Sequence, residues 1–293
     1  MPAWAAVVVN YQGEAMLLDA VRSLRDDVGA GKAQIVVVDN GSTDDAMERL
    51  HAEFPEVGIV SPGRNLGYAS AANRGIAATR APVVAVCNCD LRQHPGTAAA
   101  LLARFDADPR LGAVGPSIRN DDGSRYPSAR SVPRVLDAVG HGILGLVWAG
   151  NPFTRRYRQL DADPTRPRDV DWVSGAAIWL RRSALDEIGG WDERYFMYVE
   201  DVDLCWRLRR AGWRVAYEPG GEVTHLQGVS TDRHPYRMLV EHHRSLLRFA
   251  RARWRGLRRI LLVPAACYLT ARAVLAVALR ALRPRRRIRK VTG

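Results

Sequence analysis

Apolar runs alternate with helical patterns throughout the first half of the chain. Four runs are short and almost wholly apolar, as expected for strands that are buried on both faces of a parallel sheet. These runs cover residues 5–11, 35–39, 57–60 and 83–86. Helical patterns follow them at 16–24, from 42 onward, at 68–79 and at 95–105. Because strands and helices alternate with short links, the pattern predicts an α/β fold with a mostly parallel central sheet flanked by helices.

The second half of the chain is less regular and contains no internal repeat. Two stretches rich in Pro, Arg, Asp and Gly, 120–134 and 151–168, are predicted as loops. The elements expected beyond them are a strand over 172–180, a helix over 200–211, a strand over 214–217 and a further short piece that begins at 223.

Polar side chains gather where the predicted strands end. Asn10, Asp39 and Asn40 close the first two strands, and Asn88 and Asp90 close the fourth. Ligands of open α/β sheets bind at the carboxyl ends of the strands. The amide and acid side chains at these ends therefore predict a polar ligand such as a nucleotide.

An acidic cluster, Glu200-Asp201-Val202-Asp203, places three carboxylates within four residues directly after an aromatic, apolar run. Such a cluster is costly unless a cation, a substrate hydroxyl or a helix N-terminus uses the charge. Acids are also common in the first turn of any helix because they complement its dipole. Both a functional and a helix-start interpretation of the cluster stay open on this stretch alone.

The charge of the chain is unevenly distributed. The 293 residues carry a net charge of +12, but from His242 onward there are fifteen Arg and Lys and no Asp or Glu, so the remainder carries −3. The length fits one large domain with an appendage. The high isoelectric point belongs to the tail and therefore says little about the ligand of the main domain.

The cysteines indicate a reduced protein. Cys87, Cys89, Cys205 and Cys267 form no C-x-x-C pair, and a zinc site at Cys87, Cys89 and His94 lacks a fourth ligand and suitable spacing. We expect buried thiols. The N-terminus enters a strand at once, without a signal peptide, so a cytoplasmic location is favoured.

The phosphate-binding loops of common nucleotide enzymes are absent from the sequence. Neither G-x-G-x-x-G after the first strand nor G-x-x-x-x-G-K-[ST] occurs, which disfavours a dinucleotide dehydrogenase and a P-loop enzyme. A metal ion is the usual alternative for holding phosphates. Asn88-Cys89-Asp90 offers oxygen ligands of the kind that Mg²⁺ or Mn²⁺ prefers, although the motif alone is a weak signal.

Taken in order, these motifs resemble the inverting family 2 glycosyltransferases of GT-A fold, and most closely their rhamnosyltransferase branch. The segments that carry the resemblance are 7–10, 36–44, 65–68 with Asn73, 88–90, 172–176 and 196–207. It covers about residues 3–230 and implies a nucleotide-binding half at about 1–118 and an acceptor-binding and catalytic half at about 119–233.

The resemblance implies a nucleotide-sugar site at the strand ends. Asp39 would bind the base or ribose, and Asp90 would hold Mg²⁺ or Mn²⁺ on the diphosphate. The other residues expected near the donor are Asn10, Tyr11, Arg64, Asn65, Gly67, Asn73 and Asn88. His225 matches a histidine that completes the metal site in some relatives, and a purely structural role for it is an equal alternative. Where the family has D-x-D or N-P-D, this chain has N-C-D, one negative charge fewer than D-x-D.

The resemblance also assigns the acidic cluster. Asp201 would be the general base that takes a proton from an acceptor hydroxyl as that oxygen attacks the anomeric carbon, Glu200 would support it, and Asp203 would be the helix-start acid. Trp172, Ser174 and Gly175 would contact the acceptor, with an ordinary core strand as an equal alternative for this apolar run.

The substrates implied are a rhamnose donor carried by thymidine diphosphate and a glycan or polyprenyl-diphosphate-linked sugar acceptor of the cell envelope. A UDP-sugar donor (galactofuranose, GlcNAc or glucose) and a non-catalytic nucleotide-sugar-binding protein are the alternatives. A sugar nucleotidylyltransferase is disfavoured, because Gln12-Gly13-Glu14 does not supply the Gly- and Arg-rich loop that such an enzyme needs after its first strand.

The tail, residues 234–293, is predicted as a basic helical appendage to a domain over 1–233. Arginines at helical spacing between 237 and 255 face away from an apolar stripe, and a mostly apolar stretch over 257–282 follows. A spanning helix would pay heavily for Arg272, so we expect the tail to lie on the cytoplasmic face of the membrane, with the basic cluster 283–290 attracting anionic lipid. Packing on the main domain or in a homodimer is the alternative. Nucleic acid is not expected, because aromatic residues are sparse.

Overall fold

The computed structural model describes residues 2–28, 33–133, 135–145, 148, 150–226 and 235–282. Contacts divide the chain into two compact units. One consists of Met1–Phe196 with Glu200–Ser230, and the other of Met197–Val199 with Thr231–Gly293. The predicted domain boundary at 233/234 and the basic cluster 283–290 lie outside the described residues.

The first unit is built on a mixed sheet with a parallel half. The strands are β1 Trp4–Asn10, β2 Ala33–Asp39, β3 Gly58–Val60, β4 Val83–Asn88, β5 Leu91–Gln93, β6 Leu111–Arg119, β7 Arg125–Tyr126, β8 Ala129–Arg130, β9 Arg168–Asp169, β10 Trp172–Val173, β11 Ala177–Arg181 and β12 Arg214–His225. The main sheet runs in the order β3-β2-β1-β4-β11-β6-β12-β5, and β8 and β10 form a separate pair.

Strands β1 to β4 pair in parallel, as do β6 and β12. Strand β11 is antiparallel to both β4 and β6. The α/β sheet predicted from the apolar runs is confirmed. The antiparallel β11 at its centre was not predicted, because strand direction leaves no mark on the apolar pattern.

Helices flank the sheet of the first unit and form most of the described part of the C-terminal unit. They are α1 Glu14–Val28, α2 Ala46–Glu53, α3 Tyr68–Ala77, α4 Thr97–Ala107, α5 Val135–Leu144, α6 Pro152–Arg158, α7 Arg182–Ile188, α8 Glu200–Arg210, α9 Pro235–Arg253 and α10 Leu262–Leu282, with a 3₁₀ turn at Gly256–Leu261. The apolar face of α1, at Leu17, Val21 and Leu24, is fully buried. The rings of Trp4 and Trp179 stack 4.4 Å apart across β1 and β11.

The register of the parallel strands brings the polar strand ends together. Asn10 is paired with Asp39, and Val9, its neighbour on β1, is paired with Asn88. The chain moves from β1 towards β2 and β3 and then crosses to β4 on the other side of β1. Such a switch point opens a crevice at the carboxyl ends of the strands.

The prediction of a loop over 151–168 is wrong for its first part, because α6 lies there. Asn151 caps this helix, its Oδ1 accepting the backbone N–H of Thr154 at 2.9 Å, and Pro152 occupies the first turn. Both are regular helix-start signals. The arginine-rich composition obscured them. The predicted loop over 120–134 likewise contains the short strands β7 and β8.

Two strand predictions in the second half are also corrected. The run over 172–180 is divided by a turn at Ser174, whose carbonyl accepts the N–H of Ala177 at 3.3 Å. Conversely, the pieces at 214–217 and 223–225 are one strand, β12, whose register against β6 shifts between Glu218 and Glu222. A bulge absorbs extra residues without ending a strand, so the intervening Pro and Gly did not mark an end.

In the C-terminal unit, α9 and α10 are joined by a buried polar contact. His243 Nδ1 donates to the Leu239 carbonyl at 2.8 Å, and His243 Nε2 accepts from Arg272 Nη1 at 2.9 Å. Burial lowers the pKa of His243, which keeps the ring neutral in this arrangement. Among the described residues, one helical stretch, Gly256–Ala278, is long and apolar enough to cross a membrane, and none of it is buried.

Candidate active site

Strands β1 and β2 end side by side at the edge of the sheet where we expect a nucleotide. Asp39 Oδ1 accepts the backbone N–H of Ser42 at 3.0 Å, and Asn10 Nδ2 donates to Ser42 Oγ at 3.0 Å. Asn10 is fully buried and supports this turn through that bond, and its expected place near the nucleotide stays a prediction. Asp39 is half-buried at the rim of the sheet, where a ribose or base can reach it. It also closes the turn through its bond to Ser42, a structural role that the sequence did not predict.

A second loop packs against this turn. Asn40 Nδ2 donates to Asn65 Oδ1 at 3.1 Å, and Asn40 Oδ1 accepts the N–H of Leu66 at 2.9 Å. A Cβ at Gly41 would lie 2.8 Å from the carbonyl carbon of Arg64, so only glycine permits this approach. The Arg64 side chain is exposed, and its charge is available to an anionic ligand along the edge.

Gly67 and Tyr68 tie this loop to the segment before the acidic cluster. Gly67 has a φ of 86°, and a Cβ there would lie 2.4 Å from the Phe196 carbonyl oxygen. The Tyr68 N–H donates to that same oxygen at 2.8 Å. The Tyr68 hydroxyl donates to the Gly175 carbonyl at 2.5 Å. Gly67 is therefore required for backbone packing, and Tyr68 links both sides of the crevice.

Tyr68 is a central residue that the sequence analysis did not single out. Burial raises the pKa of its hydroxyl well above the usual range, and the charges of Glu200, Asp201 and Asp90 raise it further. The phenol is thus a permanent donor at neutral pH. It lies within the field of both the donor-side and the catalytic acids. The signal that could have identified it is an aromatic residue directly after an obligate glycine at the start of α3.

The metal side of the site consists of Asn88, Asp90 and His225. Asn88 ends β4, Asp90 follows it, and His225 ends β12. His225 Nε2 lies 3.1 Å from Asp90 Oδ1 and 3.1 Å from Asn88 Nδ2. All three side chains are buried or half-buried. The structure thus brings together residues that are more than 130 positions apart in sequence.

These three residues suit a divalent cation. A single ring nitrogen cannot both donate to Asp90 and accept from Asn88, and His225 Nδ1 is buried without a partner among the described residues. Turning the Asn88 amide directs its oxygen to the same point, which gives one imidazole and two oxygen ligands, a set that accepts Mn²⁺ or Mg²⁺. No group of three or more His, Cys, Asp and Glu side chains that could hold a metal occurs within the described part of the chain, and a cation at this point would need Asn88 as its third ligand.

Asp201 is held by two backbone amides at the start of α8. Its Oδ2 accepts the Gly175 N–H at 2.9 Å, and its Oδ1 accepts the Val202 N–H at 2.8 Å. Burial raises the pKa of Asp201, while these two bonds and the charge of Arg130 act in the opposite direction. The two bonds therefore orient the carboxylate and stabilise its charged form.

Glu200 is in a different environment although it is adjacent in sequence. It is 6% exposed, and its Oε2 has no partner among the described residues. Burial and then the charge of Asp201 raise its pKa well above the usual range. Two neighbouring acids whose environments differ in this way typically divide into an ionised base and a neutral acid. Asp201 suits the first role and Glu200 the second.

Arg130 was not expected in the site. Its positive charge lowers the pKa of Asp201. Its guanidinium lies 4.9 Å from the Trp172 ring, 5.2 Å from that of Tyr126 and 5.7 Å from that of Tyr157. It also donates from Nη2 to the Tyr126 hydroxyl at 2.8 Å. The alternation of Arg with aromatic residues in 126–172 was the available signal.

Trp172 and Ser174 are engaged within the scaffold, as the core-strand alternative implies, and their contact with the acceptor stays a prediction. Trp172 is 5% exposed, and its Nε1 donates to the Ser131 carbonyl at 3.2 Å. Arg130 already covers its ring. The Ser174 N–H donates to the Ser128 carbonyl at 2.8 Å. Gly175 alone of this group touches Asp201.

Asn73, which we expect near the nucleotide, has its side chain engaged within the protein. Its Nδ2 donates to the Trp191 carbonyl at 2.9 Å and to Glu193 Oε1 at 3.0 Å, and its Oδ1 accepts the Trp191 N–H at 2.9 Å. Both amide hydrogens are used in attaching α3 to the loop after α7. No donor is left for a nucleotide.

Asp203 has the structural role expected for it, through an ion pair instead of a cap. Its Oδ2 accepts from Arg207 Nε at 2.7 Å, four residues along α8, and both side chains are largely buried. Arg207 Nη1 in turn donates to the Ile188 and Gly190 carbonyls at 3.0 and 2.7 Å. This network fixes α8 from its outer side.

The thiols near the site are inert. Cys87 and Cys89 are buried and unpaired, and burial raises the pKa of each to about 12. A backbone hydrogen bond from half-buried Tyr11 moderates the shift at Cys89. Tyr11 thus lies beside the β4 end, where we expected it, without an observed ligand role.

Comparison with known proteins places this geometry in context. The profile of a family described as "Glycosyltransferase like family 2" matches residues 2–248. The N-acetylglucosaminyl-diphospho-decaprenol L-rhamnosyltransferase of Mycobacterium tuberculosis (strain CDC 1551 / Oshkosh) is 42% identical over 233 residues, 76% of each chain. The pre-mycofactocin glycosyltransferase of the same strain is 32% identical over 220 residues, 74% of this chain and 40% of that protein.

Solved structures share the fold. The mannosyltransferase PcManGT from Pyrobaculum calidifontis in complex with GDP-Man and Mn²⁺ superposes with a TM-score of 0.60 at 18% identity, covering 97% of this chain and 76% of that one. GalNAc-T7 with UDP, GalNAc and Mn²⁺ gives 0.59 at 18% identity, covering 78% and 44%. The sheet, helices and strand-end crevice described above are those of the GT-A fold.

Proposed function

The chain belongs to the family 2 glycosyltransferases, and we propose that it transfers L-rhamnose from a nucleoside diphosphate donor, dTDP-rhamnose, to a sugar hydroxyl on a polyprenyl-diphosphate carrier. The observation that carries this proposal is the 42% identity to a rhamnosyltransferase named for such an acceptor, over three quarters of both chains. The product would serve cell-envelope polysaccharide synthesis.

On the donor side, Asp39 would bind the ribose or base, and Arg64 with the Asn65 loop would face the nucleotide. Asp90, His225 and a turned Asn88 would hold Mg²⁺ or Mn²⁺. When bound, such a cation stabilises negative charge on the leaving diphosphate. The 3.1 Å contacts of His225 Nε2 support this assignment.

On the acceptor side, Asp201 would accept the hydroxyl proton while the acceptor oxygen forms its bond to the anomeric carbon. The bond from that carbon to the diphosphate oxygen breaks, and the nucleoside diphosphate leaves with the electron pair. Attack opposite the leaving group inverts the anomeric configuration. The Gly175 N–H holds Asp201 for this task, and Glu200, kept neutral by burial, would donate a hydrogen bond to a substrate oxygen.

A donor panel tests the proposed specificity. The full chain is incubated with a GlcNAc-diphosphate-polyprenol acceptor, Mn²⁺ and one of dTDP-rhamnose, UDP-galactofuranose, UDP-GlcNAc, UDP-glucose or GDP-mannose, and release of nucleoside diphosphate is measured. We expect acceptor-dependent release from dTDP-rhamnose only. Preferential release from a UDP-sugar would overturn the rhamnosyl assignment, and binding of donor without release would support a non-catalytic protein.

The unburied helical stretch Gly256–Ala278 supports an association of the tail with the cytoplasmic membrane surface. Leu257, Ile260 and Val263 are 94%, 79% and 70% exposed. Exposed apolar patches of this kind typically mark an interaction surface. Arg272 is held by His243, which suits a helix lying on a surface better than one crossing the hydrocarbon.

Flotation of the full chain with vesicles tests this association. The variant Leu257→Asn/Ile260→Asn/Val263→Asn should lose flotation with phosphatidylglycerol vesicles, whereas Leu160→Asn, an exposed apolar position in the first unit, should not. Bound protein should be released by alkaline carbonate. Equal flotation of the triple variant and the wild type, or resistance to carbonate, would contradict a surface location.

A further inference from the structure

The segment directly before the acidic cluster has an unfavourable backbone. Tyr198 and Val199 have φ values of 67° and 68°. Left-handed φ is uncommon outside glycine, and a β-branched residue such as valine is an outlier there. Such a residue is strained and persists only where the surroundings fix its backbone. We call Met197–Val199 the strap. Contacts with neighbouring residues must therefore hold its backbone in this conformation.

Helix α9 provides this restraint within the C-terminal unit. Ser245 is 1% exposed, and its hydroxyl donates to the Met197 carbonyl at 3.0 Å. The ring of His242, one turn earlier on α9, meets the Tyr198 ring edge-to-face at 5.4 Å. Val199 is buried. Two adjacent residues of the strap thus have partners on one face of α9.

The strap is joined covalently to groups that are themselves fixed. Before it, the Phe196 carbonyl accepts the Tyr68 N–H at 2.8 Å. After it, Glu200 begins α8, and Asp201 is held by the Gly175 and Val202 amides. Three residues span these two anchors, so relaxation of the two left-handed residues must move the start of α8.

We infer that Ser245 and His242 are positioning residues for the catalytic acids, and that α9 keeps the strap in the conformation that places Asp201 on the Gly175 amide. The inference rests on the proposed function, since it assigns a purpose to the position of the proposed base. The C-terminal unit would then be required for turnover itself and not only for location. A displacement of about 1 Å at a reacting group can cost about 10²-fold in rate.

Ser245→Ala in the full chain tests the inference. We expect kcat to fall about 10- to 100-fold, with the KM for the donor within about twofold because donor-side residues are not displaced. Losing the Gly175 bond also raises the pKa of Asp201, so the acid limb of the rate profile should move to higher pH. Ser245→Thr, which keeps the hydroxyl, should restore all three quantities.

Hydrogen–deuterium exchange gives a readout that does not depend on activity. The Gly175 and Val202 amides, which donate to Asp201, should exchange at least about tenfold faster in Ser245→Ala than in the wild type. Ser23→Ala is the control, because it removes a similar bond on α1, from Ser23 Oγ to the Ala20 carbonyl at 2.8 Å, together with the bond that Ser23 Oγ accepts from the Gln93 N–H at 2.9 Å. The control should leave exchange of these two amides and kcat unchanged.

Exchange of the two amides at the wild-type rate in Ser245→Ala would overturn the inference, as would faster exchange with an unchanged kcat. A change of the same size in Ser23→Ala would assign the effect to general destabilisation. If the wild type transfers no sugar, the proposed function fails, and the exchange rates still decide whether α9 fixes the position of Asp201.

Discussion

Glu200 and Asp201 are neighbours in the chain, yet hydrogen bonding separates their chemistry. Asp201 accepts two backbone N–H groups, which stabilise its carboxylate. Glu200 is buried with an unpartnered oxygen, and its pKa is raised well above the usual range. The two environments therefore favour the anion at Asp201, where two N–H groups meet the carboxylate, and the uncharged acid at Glu200.

Asp201→Asn removes the proposed base and should lower kcat by about 10²–10⁴-fold, the usual contribution of general-base catalysis. The asparagine oxygen can still accept one of the two backbone bonds, so the variant should fold, with a circular dichroism spectrum like that of the wild type. Retention of near wild-type turnover would show that another group takes the proton.

Glu200→Gln is the matched comparison, because glutamine has the size of the neutral acid and keeps a donor. Since burial raises the pKa of Glu200 and so favours its uncharged form, we expect the variant to retain at least about a tenth of wild-type kcat, a loss within the range of one hydrogen bond. A loss as large as that in Asp201→Asn would instead identify Glu200 as the base.

The pH dependence of the wild type follows from the same pair. Burial raises the pKa of Asp201, and a base is useless once protonated. The acid limb of kcat should therefore lie above the usual range of an aspartic acid, with activity lost as the pH falls through the raised pKa. A pH–rate profile whose acid limb lies at or below the ordinary aspartate pKa would contradict the burial of the base.

At the scale of elements, the sequence pattern predicted the strands and helices whose positions depend on hydrophobic periodicity alone. Strands β1 to β4 and helices α1 to α4 lie close to their predicted positions, because continuous apolar runs and helical spacing are local signals. Helix α6 was missed although its cap was visible, since composition was given more weight than the Asn151-Pro152 signal. The length of β12 was not predictable, because a bulge accepts the Pro and Gly residues that elsewhere end a strand.

The site was predictable only as far as strand ends and motifs reach. Asp39, Asp90 and Asp201 follow from such signals, whereas the bond between Asp201 and Gly175 joins residues 26 positions apart. The covering of Trp172 by Arg130 depends on the pairing of β8 with β10. No pattern in the sequence specifies that pairing, and so the position of Arg130 over the Trp172 ring was not predicted.

The close packing of α3 on the segment before α8 gives an element-scale prediction. Gly67→Ala places a methyl group 2.4 Å from the Phe196 carbonyl oxygen, adding an overpacking cost of about 1–3 kcal/mol to the cost of an alanine at φ 86° and ψ 169°, a region essentially reserved for glycine, about 1–3 kcal/mol. Gly63→Ala is the matched control, with a φ of 78° and nothing within 4 Å of its added Cβ. Chemical denaturation should show a clearly larger loss for Gly67→Ala, and equal losses would contradict the close approach.

At the scale of the whole molecule, charge and chemistry are separated along the chain. The residues before His242 carry a net charge of −3 and include the strand-end crevice, whereas the fifteen cationic side chains from His242 onward dominate the isoelectric point. A basic protein of this kind need not bind nucleic acid. Under the proposed function, the cations would hold the protein at an anionic membrane surface near its lipid-linked acceptor, and added salt should weaken this attraction.

The most direct test of the central claim is the structure of the reaction product. The full chain with Mn²⁺ is incubated with dTDP-L-rhamnose and a GlcNAc-diphosphate-polyprenol, and the product is examined by mass spectrometry and NMR. We predict one added rhamnosyl unit, with an anomeric configuration inverted relative to the donor, formed by the wild type and reduced at least about 10²-fold in Asp201→Asn. No transfer by the wild type, or transfer with the donor's configuration retained, would contradict it.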